Sequence, residues 1–132
     1  MKYMLDTNIC IYAQKQAQNV LKHIKDNWQD GIVISTITLA ELQYGVEASV
    51  NREKNAISLM KFLSIVGVLP FDDYAAAEYG KIRADLRQKG TPIGTMDMLI
   101  AAHAKAEGLI VVTNNTREFE RVEGIKLENW YI

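Results

Sequence analysis

Short continuous apolar runs recur along this chain, and between them apolar residues repeat at helical spacing. KYMLD, IVIST, VGVLPF and LIVVT are the runs. Each has the length of a strand and lacks the polar–apolar alternation of a half-solvated sheet. Strands without alternation are covered on both faces, and strands separated by helices pair in parallel through crossovers. The expected fold is therefore α/β, a parallel four- to five-stranded sheet flanked by helices on both faces, with KLENW as a last edge strand.

The intervening helices carry their own start and stop signals. Ile9, Ile11 and Tyr12 suggest a short helix from Asn8, and Val20, Leu21 and Ile24 suggest one ending near Trp28, where Asp30-Gly31 halts it. Leu39, Leu42 and Val46 mark a helix with Glu41 near its start, and Ile57, Leu59, Met60 and Leu63 mark another within 52–65. Pro70 closes the third strand. Asp72 should cap the strongest helix and Gly90 end it; Thr95 should cap an almost wholly apolar helix that stops at Gly108. With 132 residues and no linker or repeat, a single domain spanning 1–132 is expected.

Composition narrows the chemistry. Cys10 is the only cysteine, which excludes an internal disulfide and any thiolate-cluster metal site and suits a reducing, cytoplasmic setting. Nothing at the N-terminus resembles a signal peptide, and no apolar run approaches the roughly 18 residues of a membrane span. A net charge of −1 argues against a generally basic nucleic-acid coat. No GxxxxGK[ST] or GxGxxG stretch is present to cradle a nucleotide.

The acidic residues are more informative. Ligand sites of open parallel sheets form beyond the C-terminal ends of the strands. Asp6 follows the first strand, Glu41 lies on the helix after the second, Asp97 opens the apolar TMDMLIAAHA helix, and Asn115 and Glu118 follow the fourth strand. Taken singly each has a structural explanation as a helix cap, a dipole partner or a solvated charge. Together they suggest a site, with Asp97 weighing most because its helix must pack against the sheet. Carboxylates gathered without Lys or Arg would repel one another, and a hard divalent cation removes that repulsion. Oxygen-only ligands select Mg²⁺ or Mn²⁺ rather than zinc, and such ions activate water against phosphodiesters.

Other residues offer less. His23 lies between Lys22 and Lys25 on a surface helix and should be solvated, His103 should be a satisfied structural histidine, and Cys10 a small core residue. Lys81, Arg83, Arg87 and Lys89 could meet a phosphate backbone or form a solvated face paired with Glu78 and Asp85.

MLDTNICIY, STITLAELQYGVEAS, KGTPIGTMDMLIAAHA and VVTNNTREFERVEGIKLENW together resemble, in order and over essentially the whole chain, the VapC toxins of bacterial toxin–antitoxin pairs, which are PIN-domain ribonucleases. The resemblance implies a PIN fold and a Mg²⁺- or Mn²⁺-dependent endoribonuclease that cuts tRNA, initiator tRNA foremost, and so stops translation. It implies Asp6, Glu41 and Asp97 as metal ligands. Many PIN domains carry Asp where this chain has Asn115, and Glu118 stands where others have an Asp before the Phe. Glu118 is therefore a catalytic or ligand position, and Thr7, Asn8, Thr113 and Asn115 are polar neighbours that orient metal-bound water. A VapB-type antitoxin blocking the site, a homodimer and a higher assembly with the antitoxin are implied as well, the antitoxin groove lying among the helices between residues 9 and 65.

Two rivals belong to other classes. A receiver-like signalling domain needs an acidic pair after the first strand and a Lys near the last, whereas this chain offers a lone Asp6 and Asn114-Asn115. A catalytically degenerate PIN binding module would have lost acids that are present here.

Overall fold

The computed structural model describes all 132 residues. In chain order the elements are β1 (Tyr3–Leu5), α1 (Thr7–Gln14), α2 (Gln18–Asn27), β2 (Ile32–Ser35), α3 (Thr36–Glu47), α4 (Arg52–Leu63), β3 (Gly67–Leu69), α5 (Asp73–Lys89), α6 (Thr95–Glu107), β4 (Ile110–Val112), α7 (Thr116–Phe119) and β5 (Leu127–Glu128). The five strands form one wholly parallel sheet in the order β3-β2-β1-β4-β5. The chain steps outward from β1 to β3, then returns to the other side of β1 for β4 and β5. The direction of winding therefore reverses between β1 and β4, which opens a crevice at their C-terminal ends.

Strand side chains alternate between two cores. Tyr3, Leu5, Ile32 and Ile34 face α1–α4 and pack with Ile9, Val20, Leu42 and Phe62. Met4, Val33 and Val111 face the other way, onto Ile82, Leu86 and Ile100 of α5 and α6. The expected coverage of both faces holds for the central strands. It fails at β3, where Val68 is exposed, because an edge strand has one neighbour and less helix above it.

Several local expectations are revised. Thr95 is the first helical residue of α6, and Gly94 precedes it with no side-chain cap. The first helix starts at Thr7, one residue early, because Asp6 itself caps it. His23 is half-buried, its ring stacked 5.4 Å from that of Trp130. The C-terminal tail brings that buried indole back onto α2 and against Tyr3, a contact that local sequence around His23 does not reveal. Gly31 has φ +87°, and a Cβ there would come 2.8 Å from Met1 Cα, so the stop after α2 requires glycine.

Asp72 caps α5 as expected, its Oδ1 accepting the Ala75 N–H at 3.0 Å. Asp72→Ala should lower stability by about 1 kcal/mol, the usual value of an N-cap. A urea unfolding curve checks this; an unchanged midpoint would show that the cap contributes nothing.

Candidate active site

Asp6 follows directly on β1, beside β4 at the reversal of strand order. It is only 3% exposed. Its N–H donates to the Val112 carbonyl at 3.0 Å, which fixes it to the neighbouring strand. Its Oδ1 accepts the N–H of Ile9 at 2.9 Å, and the hydroxyl of buried Thr113, just past β4, donates to the same carboxylate. Asp6 is thus both a helix cap and a buried acid in the crevice. Burial pushes its pKa up to about 6; the bonds from Thr113 and Ile9 oppose this, while the charges of Asp97 and Glu41 add to it.

Asp97 lies in the first turn of α6 and is half-buried. Burial raises its pKa first, then the charge of Glu118, with Glu41 adding further and a bond from Asn115 opposing. The Asn115 amide bridges two acids, its Nδ2 donating to Asp97 Oδ2 at 3.3 Å and to Glu118 Oε2 at 3.2 Å. The bridge is held from behind, because the Asn115 N–H donates to Thr113 Oγ1 at 2.8 Å. On the opposite side Thr7 Oγ1 donates to Glu41 Oε1 at 2.6 Å and orients that side chain.

Asp6 and Asp97 therefore each lie in the field of Glu41, and Asp97 in that of Glu118 as well. No Lys or Arg forms an ion pair with any of the four acids. The ion pairs lie elsewhere, as in Arg52–Glu47, Lys81–Glu78 and Lys89–Asp85. The acids do not close into a cage, for no three His, Cys, Asp or Glu side chains are grouped tightly enough to enclose an ion. An open arrangement of oxygens still fits a hard divalent cation, since Mg²⁺ takes one or two carboxylates and completes its shell with water and phosphate oxygens. The donor set contains no His or Cys, which disfavours zinc.

The remaining candidates are distributed differently. Asn8 is exposed and hydrogen-bonds none of the acids; it lines a hollow of about 460 Å³ beside Glu41, Tyr44 and Met96. Arg83 and Arg87 share one face of α5 with Gly80, around an open hollow of about 670 Å³. Lys81 turns away from them toward Glu78, at 3.8 Å, so the cations of α5 do not form one patch. Cys10 is fully buried, as expected. His103 is also fully buried, but only half-satisfied. Nδ1 and Ser35 Oγ share a hydrogen bond at 2.8 Å, while Nε2 has no partner. Sequence reading passed over Ser35, whose one local signal was its place between a strand and a helix start.

The comparisons bear on a site with this geometry. A model of the PIN domain matches residues 3–125. The chain is 47% identical over 133 residues to a Salmonella typhimurium protein named tRNA(fMet)-specific endonuclease VapC, covering 98% of both chains. It is 46% identical to Ribonuclease VapC2 of Haemophilus influenzae over 131 residues, again 98% of each. Its fold is similar to that in the crystal structure of VapBC2 from Rickettsia felis bound to a DNA fragment from their promoter, with a TM-score of 0.95, 44% identity, and coverage of 98% of this chain and 99% of that one.

Proposed function

The chain belongs to the VapC branch of the PIN-domain family, and from that premise we propose that it is a toxin that hydrolyses RNA endonucleolytically with Mg²⁺. The observation that carries the reading is the set of carboxylates without cationic partners at the strand-order reversal, with Asp6 buried and Asp97 half-buried in the fields of the others. PIN-domain nucleases depend on divalent metal; Mg²⁺ suits these oxygens best and Mn²⁺ can replace it. Asp6, Asp97 and Glu41 would hold the ion, with Glu118 as a further ligand. When bound, the ion supplies Lewis acidity to a phosphate oxygen and a lowered pKa to water.

The chain's own residues do the positioning. Thr113 and the Ile9 N–H fix Asp6, Thr7 fixes Glu41, and Asn115 holds Asp97 and Glu118 at a set separation. Water attacks phosphorus in line, the bond to the 3′-oxygen breaks, and the products carry 5′-phosphate and 3′-hydroxyl ends. No protein histidine is needed as a base; His103 is buried away from solvent.

The substrate is tRNA, with initiator tRNA favoured because a relative of 47% identity is named for it. The partner is a VapB-type antitoxin, as in the VapBC structures, acting on a homodimer in the cytoplasm. A groove of about 480 Å³ between α1, α2 and α4, lined by Leu21, Ile24, Ile57, Phe62 and Ile65, suits an apolar antitoxin segment. It continues past Gln14, Lys54 and Ser58 into a second hollow that reaches Glu41. Arg83 and Arg87, which form no ion pair on α5, are candidate phosphate contacts.

Incubation of the purified protein with tRNA should give Mg²⁺-dependent cuts with 5′-phosphate ends, abolished by EDTA. Cleavage that persists in EDTA, or that leaves cyclic phosphates, would reject the mechanism. Asn115→Ala should slow cleavage about tenfold without unfolding, the usual loss when a group orienting a ligand is removed. Cleavage rates over a magnesium series check this, and an unchanged rate would remove Asn115 from the site.

A further inference from the structure

We infer that the buried hydrogen bond between Ser35 and His103 is a strut that sets the separation of Glu41 and Asp97, making both residues positioning residues for ion binding. The inference rests on the metal-site reading above. Ser35 ends β2 and caps α3, its Oγ accepting the Ile37 N–H at 3.0 Å. The same oxygen meets His103 Nδ1 of α6 at 2.8 Å. Six residues forward from Ser35 along α3 is Glu41, and six residues back from His103 along α6 is Asp97. Each acid thus stands about 9 Å along a helix from one end of the same bond. Glu41 and Met96, the neighbour of Asp97, line one hollow, so the two helices leave both acids on the same side of the pin.

This is the one hydrogen bond that joins the junction of β2 and α3 to α6. It lies where water cannot substitute for it, both residues being 0% exposed. Phe71 packs edge-on against the imidazole at 5.4 Å and fixes its plane, and the Phe71 N–H donates to Thr36 Oγ1 at 3.1 Å. The residues on either side of the strut are therefore tied to one another. His103 Nε2 has no partner, and an unpaired buried nitrogen costs stability. A leucine would fill the site without that cost. A histidine here is explained by what Nδ1 does for Ser35.

Mn²⁺ binding followed by electron paramagnetic resonance tests the strut without reference to cleavage. His103→Leu and Ser35→Ala should each weaken Mn²⁺ affinity about tenfold, the usual effect of losing a group that orients ligands. The double variant should be no weaker than Ser35→Ala alone, because the bond to His103 is already lost there together with the Ile37 cap. His103→Asn places an amide where Nδ1 was and should restore affinity toward the wild-type value. Wild-type affinity in His103→Leu, additive losses in the double variant, or failure of the asparagine to rescue would each overturn the strut. If His103→Leu does not fold, Ser35→Ala and His103→Asn carry the same comparison. Asp97→Asn is measured alongside: undiminished Mn²⁺ binding there would reject the metal site itself, a result distinct from failure of the strut.

Discussion

Asp97→Asn should reduce RNA cleavage by about 10²–10³-fold, the scale of losing one group that stabilises transition-state charge, while the fold persists. The neutral variant keeps the contact that holds this region, because an asparagine Oδ1 can still accept the Asn115 amide that now bridges Asp97 and Glu118. What it loses is the charge. Asp97 lies in the fields of both Glu118 and Glu41, so it is the acid through which the α7 and α3 sides of the site communicate. Its removal weakens the attraction for a cation from two directions. Single-turnover cleavage of tRNA measures the effect in vitro. In cells, induction of the wild-type chain alone should arrest growth, induction with its antitoxin should not, and the variant should be harmless in both settings. Wild-type cleavage by Asp97→Asn would reject the assignment.

Asp6→Asn should be equally inactive yet more stable than the parent at neutral pH in EDTA. The folded-state pKa of Asp6 is about 6, above its ordinary 3.8, chiefly because the carboxylate is buried. Between these values the folded chain holds a proton that the unfolded chain has released, so stability falls as pH rises. The contribution is fully present below about pH 4 and lost as pH passes 6, a difference of about 3 kcal/mol. Asp97, also raised, adds a slope of the same sign. Asparagine keeps the Ile9 cap through its Oδ1 and carries no charge, so urea unfolding from pH 4 to 8 should show a flatter profile for the variant. Added Mg²⁺ should stabilise the wild type at pH 7 more than at pH 5, because the ion neutralises charge that is present only at the higher pH. A variant as steep in pH as the parent, or less stable at pH 7, would show that Asp6 carries no such burden.

The opposite pressures on Asp6 explain why a cap alone is an insufficient account of it. An N-cap needs an oxygen near the Ile9 N–H, which serine or asparagine supplies at little electrostatic cost. A carboxylate with 3% exposure is costly for the metal-free fold and useful only where positive charge arrives. Stability and chemistry are in conflict at this residue, and an inactive but sturdier variant is the measurable result.

Much of the fold was legible along the chain because its determinants are local. Apolar runs such as LIVVT specify buried strands, Asp72 and Gly90 bracket α5, and helices between strands leave parallel pairing as the consistent arrangement. The acids at strand ends were visible for the same reason, as was the family to which their motifs point. Errors arose where a distant segment intervened. His23 read as solvated because nothing near it announces that Trp130 will stack on it. The cations of α5 divide between the two expectations: Lys81 and Lys89 pair with Glu78 and Asp85 as a solvated face, while Arg83 and Arg87 share a separate hollow.

What the sequence determined by itself is the alternation of elements and the chemical type of the site, an oxygen-only set without cationic partners, since both depend on residue identity and short-range spacing. What only the tertiary structure decided is which groups hold that set in place: the Asn115 bridge, the Thr7 bond to Glu41, and the pin between Ser35 and His103. These contacts join residues as far as 68 positions apart. A hydrogen bond needs its partners within about 3 Å and correctly aimed. Only the packing of the helices against the sheet fixes position that finely.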